Sequence, residues 1–136
     1  MVVLVVLHMA VVFAMGAYRY PREVTWFTGV FLLLLVVGFS FTGYLLPWDE
    51  KAYWSTAVGT NMSGAVPLFG KYLVVLLRGG AEIGAVTLAR FYSFHVFVLP
   101  VTAAGLMGVH LFLVIKHGVS VPPWIWRKGL PGERAR

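Results

Sequence analysis

Two histidines, His95 and His110, stand fifteen residues apart in a run of twenty-five uncharged residues bounded by Arg90 and Lys116. A histidine within a helix bundle is commonly accounted for by a hydrogen bond to a neighbouring helix. Two on one face, one near each membrane boundary, favour a second chemistry, because imidazole is a preferred axial ligand of haem iron. The chain has no cysteine, which excludes disulfides, cysteine-ligated iron–sulfur clusters and thioether-attached haem on it. Any haem here is held by histidine alone, and the histidine pair points to two stacked haems.

The elements that must position these side chains are membrane helices. At 1.5 Å per residue, about 20 apolar residues cross a hydrocarbon core of roughly 30 Å, so Arg90 to Lys116 reads as a transmembrane helix. On an ideal α-helix, His95 and His110 are about 22 Å apart along the axis and about 60° apart around it. A second run of twenty-five uncharged residues, Val24 to Trp48, reads as another span. It carries Gly29 and Gly43, fourteen residues apart, hence about 21 Å and about 40° on a helix. A single glycine is explained by helix–helix contact, whereas two at nearly the histidine spacing fit two flat haem faces. Residues 1 to 18 carry no charge and include His8. They lack the basic start of a signal peptide and read as the exit part of a further span whose beginning is missing.

Composition agrees. The 136 residues are 60% hydrophobic and 12% charged, which describes one unit of a membrane protein. The net charge of +6 is scattered at segment ends, where it marks the membrane surface and anionic lipids rather than nucleic acid. Residues 49 to 89 are too polar to span and read as a structured lid, with short helices over Ala52 to Val58 and Leu68 to Leu77, the latter ended by Gly79 and Gly80. Gly118 and Pro122-Pro123 stop the last span before an aromatic-basic tail; His117 reads as a headgroup-level residue. Seven basic and two acidic residues fall on one side of the membrane, four and three on the other. The linker after the first segment and the tail are therefore inside and the long loop outside. His8 and His110 lie toward the inner side, His95 toward the outer.

PREVTWFTG, TGYLLPWDEKAYW, LLRGG and TLARFYSFHVFVLP, followed by His110 and HGVS, resemble the cytochrome b family of quinol-oxidising bc and bf complexes. The resemblance covers essentially the whole chain, in order. It corresponds to the haem-bearing N-terminal half, from the middle of the family's second transmembrane helix to the end of its fourth, and is closer to the split b6-type form than to the long mitochondrial form.

The resemblance implies an all-α membrane protein of three transmembrane helices, part of a four-helix haem-binding bundle, with short surface helices in the outer loop. Residues 1–136 would form a partial domain lacking the first helix and the start of the second. It further implies haem b in two copies: His8 and His110 as axial ligands of the inner haem, His95 as one ligand of the outer haem, whose second histidine would lie before Met1. Gly29 and Gly43 would let the porphyrins pack closely, and Arg90 would partner a propionate. Pro47, Trp48, Asp49, Tyr53 and Trp54 would form the wall of an outward quinol site. The implied partners are a C-terminal cytochrome b half or subunit IV-like chain, a Rieske iron–sulfur protein, a c-type cytochrome, quinol and quinone, and membrane lipids, with no nucleic acid. The implied place is the bacterial cytoplasmic membrane, crossed several times. The chain would be an electron-transfer subunit of a quinol:cytochrome c or plastocyanin-type oxidoreductase, not an enzyme alone. A haem b anchor of a dehydrogenase, which the PWD-bearing loop disfavours, and a structural membrane protein without haem are the alternatives.

Overall fold

The uncharged run after Pro21 folds as one helix, α2 (Glu23–Leu45), in a computed structural model that describes residues 1–120. The tail and Pro122-Pro123 lie outside the described residues. Before it stands α1 (Val2–Ala14). After it come α3 (Glu50–Gly64), α4 (Gly70–Arg78), α5 (Ala85–Ser93), a π turn (Phe94–Val98) and α6 (Leu99–His117). Among the described residues there is no strand, and the fold is all-α.

Among the described residues two helices are long and apolar enough to cross a membrane, α2 with 23 residues and the continuous helix Ala85–His117 with 33. The second begins five residues before Arg90, inside the segment expected as loop. The expected first span is shorter than its apolar run, because α1 has 13 residues, about 20 Å, against a core of roughly 30 Å. Gly16, at φ 72°, ends it in a Schellman motif: Gly16 N–H donates to Phe13 O at 2.9 Å and Ala17 N–H to Val12 O at 3.0 Å. A glycine takes the left-handed conformation without the Cβ penalty, and the two bonds satisfy carbonyls the helix leaves open.

The chain divides into two compact units, Met1–Leu34 with the chain from Ala104 onward, and Leu35–Ala103. In the first, Phe13 stacks on Tyr18 with ring centroids 5.0 Å apart and meets Trp26 at 5.8 Å, pinning the end of α1 to the start of α2. Arg22 Nε donates to Gly118 O at 3.1 Å and its Nη2 to Val119 O at 3.0 Å. Gly118, at φ 69°, stops α6 where the sequence places the stop.

In the second unit the expected lid is a packed helical layer. Asp49 caps α3 by accepting the Ala52 N–H at 2.7 Å, and Gly79, at φ 81°, ends α4. Leu45, Ala52 and Phe91 are buried together, with Phe41, Leu77 and Leu88 around them. Arg78 ties the layer: Nε donates to the buried Thr60 Oγ1 at 2.9 Å and Nη2 to Asn61 Oδ1 at 2.8 Å. The Arg78 carbonyl accepts from the buried Thr87 Oγ1 at 2.7 Å. Helix α3, with 15 residues, runs well past the expected Ala52 to Val58, because capping and packing carry it beyond the local apolar pattern, while α4 starts two residues later and ends one residue later than the expected Leu68 to Leu77.

Candidate functional site

Each unit holds a half-buried histidine of the long helix Ala85–His117, His110 in the first and His95 in the second, against α2 in the same way. In the first unit, Thr25, Thr28 and Gly29 lie at helical spacing on α2 and meet histidines of α6, while Arg22, just before α2, meets the residues just after α6. Thr28 Oγ1 lies 2.9 Å from His110 Nδ1, and Thr25 Oγ1 lies 3.4 Å from His117 Nδ1. A Cβ added at Gly29 would stand 3.2 Å from His110 Cε1 and 3.8 Å from Met9 Cε, so α1, α2 and α6 converge at this glycine. His8, next to Met9 on α1, is exposed.

In the second unit, Thr42 Oγ1 lies 2.9 Å from His95 Nδ1. A Cβ added at Gly43 would stand 2.7 Å from His95 Cε1, closer than real side chains allow. The room that each glycine leaves is thus taken up by the imidazole of the facing helix. Phe39 meets His95 edge-on at 5.4 Å and restrains ring rotation. His95 itself sits in the π turn, where the N–H of Leu99 bonds five residues back to Phe94 O. The uniform α-helical rotation assumed from the sequence does not hold through residues 94–98. Such turns inside α-helices occur frequently at functional sites.

The hydroxyls decide which ring nitrogen is free. Thr28 Oγ1 donates its one proton to Thr25 O at 2.8 Å, and Thr42 Oγ1 donates to Gly38 O at 2.8 Å. Each can offer its histidine only a lone pair, so each imidazole is the donor through Nδ1–H. The lone pair of the neutral ring then lies on Nε2, which takes part in no hydrogen bond among the described residues. A free imidazole lone pair is what an axial metal ligand requires. No cluster of three or more His, Cys, Asp or Glu able to hold a metal ion occurs among the described residues.

The remaining expected site residues lie in the second unit. Arg90 donates through Nη1 to Leu76 O, satisfying a carbonyl near the end of α4, and lines an open apolar hollow with Lys71, Tyr72 and Leu76. Pro47, Trp48 and Asp49 form the turn between α2 and α3, with Trp48 at φ 53°. Tyr53 and Trp54, on the first turns of α3, meet edge-on at 5.4 Å. Thr28 and Thr42 are the functional positions that sequence reasoning misses. Their signal is present, since the dipeptide Thr-Gly occurs at 28–29 and again at 42–43.

The family described as cytochrome b(N-terminal)/b6/petB matches residues 1–130. The cytochrome b6 of Euglena gracilis is 45% identical over 122 residues, covering 90% of this chain and 57% of that protein. That of Gracilaria tenuistipitata var. liui is 47% identical over the same length, with the same coverage. The chain thus spans a little over half the length of these curated relatives. Among solved structures, a chain of a hyperthermophilic respiratory Complex III superposes with a TM-score of 0.83 at 30% identity, over 99% of this chain and 35% of that one.

Proposed function

The chain belongs to the cytochrome b(N-terminal)/b6 family, and from that membership we propose that it is the haem-bearing part of a di-haem electron-transfer subunit in a quinol-oxidising bc or bf complex. Family membership makes it an integral membrane protein. The observation that carries the residue-level reading is the repeated Thr–His arrangement, which leaves an Nε2 lone pair on His110 in one unit and on His95 in the other. His8 and His110 would hold one haem b and His95 would supply a ligand to the other. When bound, haem supplies one-electron Fe(III)/Fe(II) chemistry.

The chain's own residues do the positioning. Gly29 and Gly43 let the imidazoles sit tight against α2, and Phe39 limits rotation of His95. Arg90 keeps guanidinium donors beyond the bond to Leu76 O with which to meet a propionate. The PWD turn, with Tyr53 and Trp54, would line the outward quinol site, and quinone reduction would occur on the side of His110. A C-terminal cytochrome b half, a Rieske iron–sulfur protein and a c-type cytochrome would complete the complex in a bacterial cytoplasmic membrane crossed several times. Haem quantification of the subunit purified from membranes expressing the intact gene tests this reading. Two haem b per subunit with a reducible α-band is the expected result, and a subunit without haem b would overturn it.

A further inference from the structure

We infer that Thr28 and Thr42 are positioning residues that set the electronic character and ring orientation of His110 and His95. This rests on the haem-ligand reading above and deepens it. Both hydroxyls sit one residue before a glycine on the same helix, α2. Both send their proton to a backbone carbonyl one turn back, Thr28 to Thr25 O and Thr42 to Gly38 O. Both stand 2.9 Å from an imidazole Nδ1 and, with their own proton so committed, are left to accept from its N–H. The arrangement is built twice, once in each unit, from the same three parts: a threonine, a glycine beside it that admits the ring, and a facing histidine.

A hydroxyl whose proton is held by a carbonyl is polarised toward acceptance, and bonds in such a chain strengthen one another. The imidazole that donates to it gains anionic character and becomes a more basic ligand at Nε2. A more basic ligand favours the ferric over the ferrous state and lowers the reduction potential. The same bond removes the freedom of the ring to rotate about its Cβ–Cγ bond. Each threonine therefore holds one ligand in one tautomer, at one orientation, with one basicity.

The test is made on Thr28→Val, Thr42→Val, Thr28→Ser and Thr42→Ser in the full-length cytochrome within its complex. Haem content, redox midpoint potentials and low-spin electron paramagnetic resonance spectra are read for each. Valine keeps the shape and removes the acceptor; serine keeps the hydroxyl. The expected result is an upward shift in the potential of one haem, with a changed low-spin g-value, in Thr42→Val, and the same change confined to the other haem in Thr28→Val. The serine variants return both readouts to the wild-type values. Loss of haem in a valine variant that serine restores supports the inference equally. Valine variants that bind both haems at unchanged potential and g-values would overturn the inference, as would haem loss that serine does not restore. His95→Ala and His110→Ala, measured in parallel, separate the two levels. If they keep both haem signals, the ligand reading falls and this inference with it; if each loses one signal while the threonine variants change nothing, only the inference falls.

Discussion

Thr42 and His95 are joined by a hydrogen bond of 2.9 Å between Oγ1 and Nδ1, beside a glycine that leaves no room for a Cβ. The imidazole fills that room itself, with Cε1 only 2.7 Å from where a side chain at Gly43 would begin. Ligand orientation and helix approach are therefore one constraint at this position.

Substitutions at the two glycines should accordingly be graded. Gly43→Ala forces His95 or α2 to move and should cost about 1–3 kcal/mol as overpacking, with loss or broadening of one haem component. Gly29→Ala, whose Cβ would stand 3.2 Å from His110 Cε1, needs a shift of only a few tenths of an ångström and belongs at the small end of that range. Thermal melts and haem spectra of the two variants compare them directly; equal behaviour would show that the tighter contact at Gly43 carries no weight.

Arg78→Met should loosen the helical layer of α3, α4 and α5. It leaves the buried Thr60 hydroxyl without its guanidinium donor and removes the bond to Asn61. The expected loss is about 1–3 kcal/mol, read as faster amide exchange and easier proteolysis between residues 50 and 90, with the amides around His110 unaffected.

Arg22→Ala should fray the end of α6. The guanidinium serves the carbonyls of Gly118 and Val119, which the helix cannot satisfy itself. Because these bonds are exposed, the cost is small, about 0.5 kcal/mol. The sensitive measurement is amide exchange over residues 114–119, where protection should fall; unchanged protection would mean that the glycine cap alone holds this end.

Much of this arrangement is legible in the sequence, because apolar length and glycine placement are local. The two long helices, the stops at Gly79 and Gly118 and the positions of His95 and His110 all follow from such patterns. The start of the long helix at Ala85 does not, since polar Thr87 and Arg90 hide it until Thr87 is seen satisfying the Arg78 carbonyl. Nor does the end of α1 at Ala14, where the apolar run outweighs the Gly16 that stops the helix. The π turn around His95 has no compositional mark. Thr28 and Thr42 read as unremarkable small residues until a facing helix brings an Nδ1–H to each, and that is a tertiary fact.

Everything proposed for this chain depends on His95 and His110 each ligating a different haem. Low-temperature electron paramagnetic resonance of the oxidised complex, recorded for the wild type, His95→Ala and His110→Ala, decides the point. Two low-spin ferric signals are expected in the wild type and the loss of a different one in each variant, with the remaining signal at its wild-type g-value. Both signals persisting in either variant, or the same signal vanishing from both, would contradict the assignment.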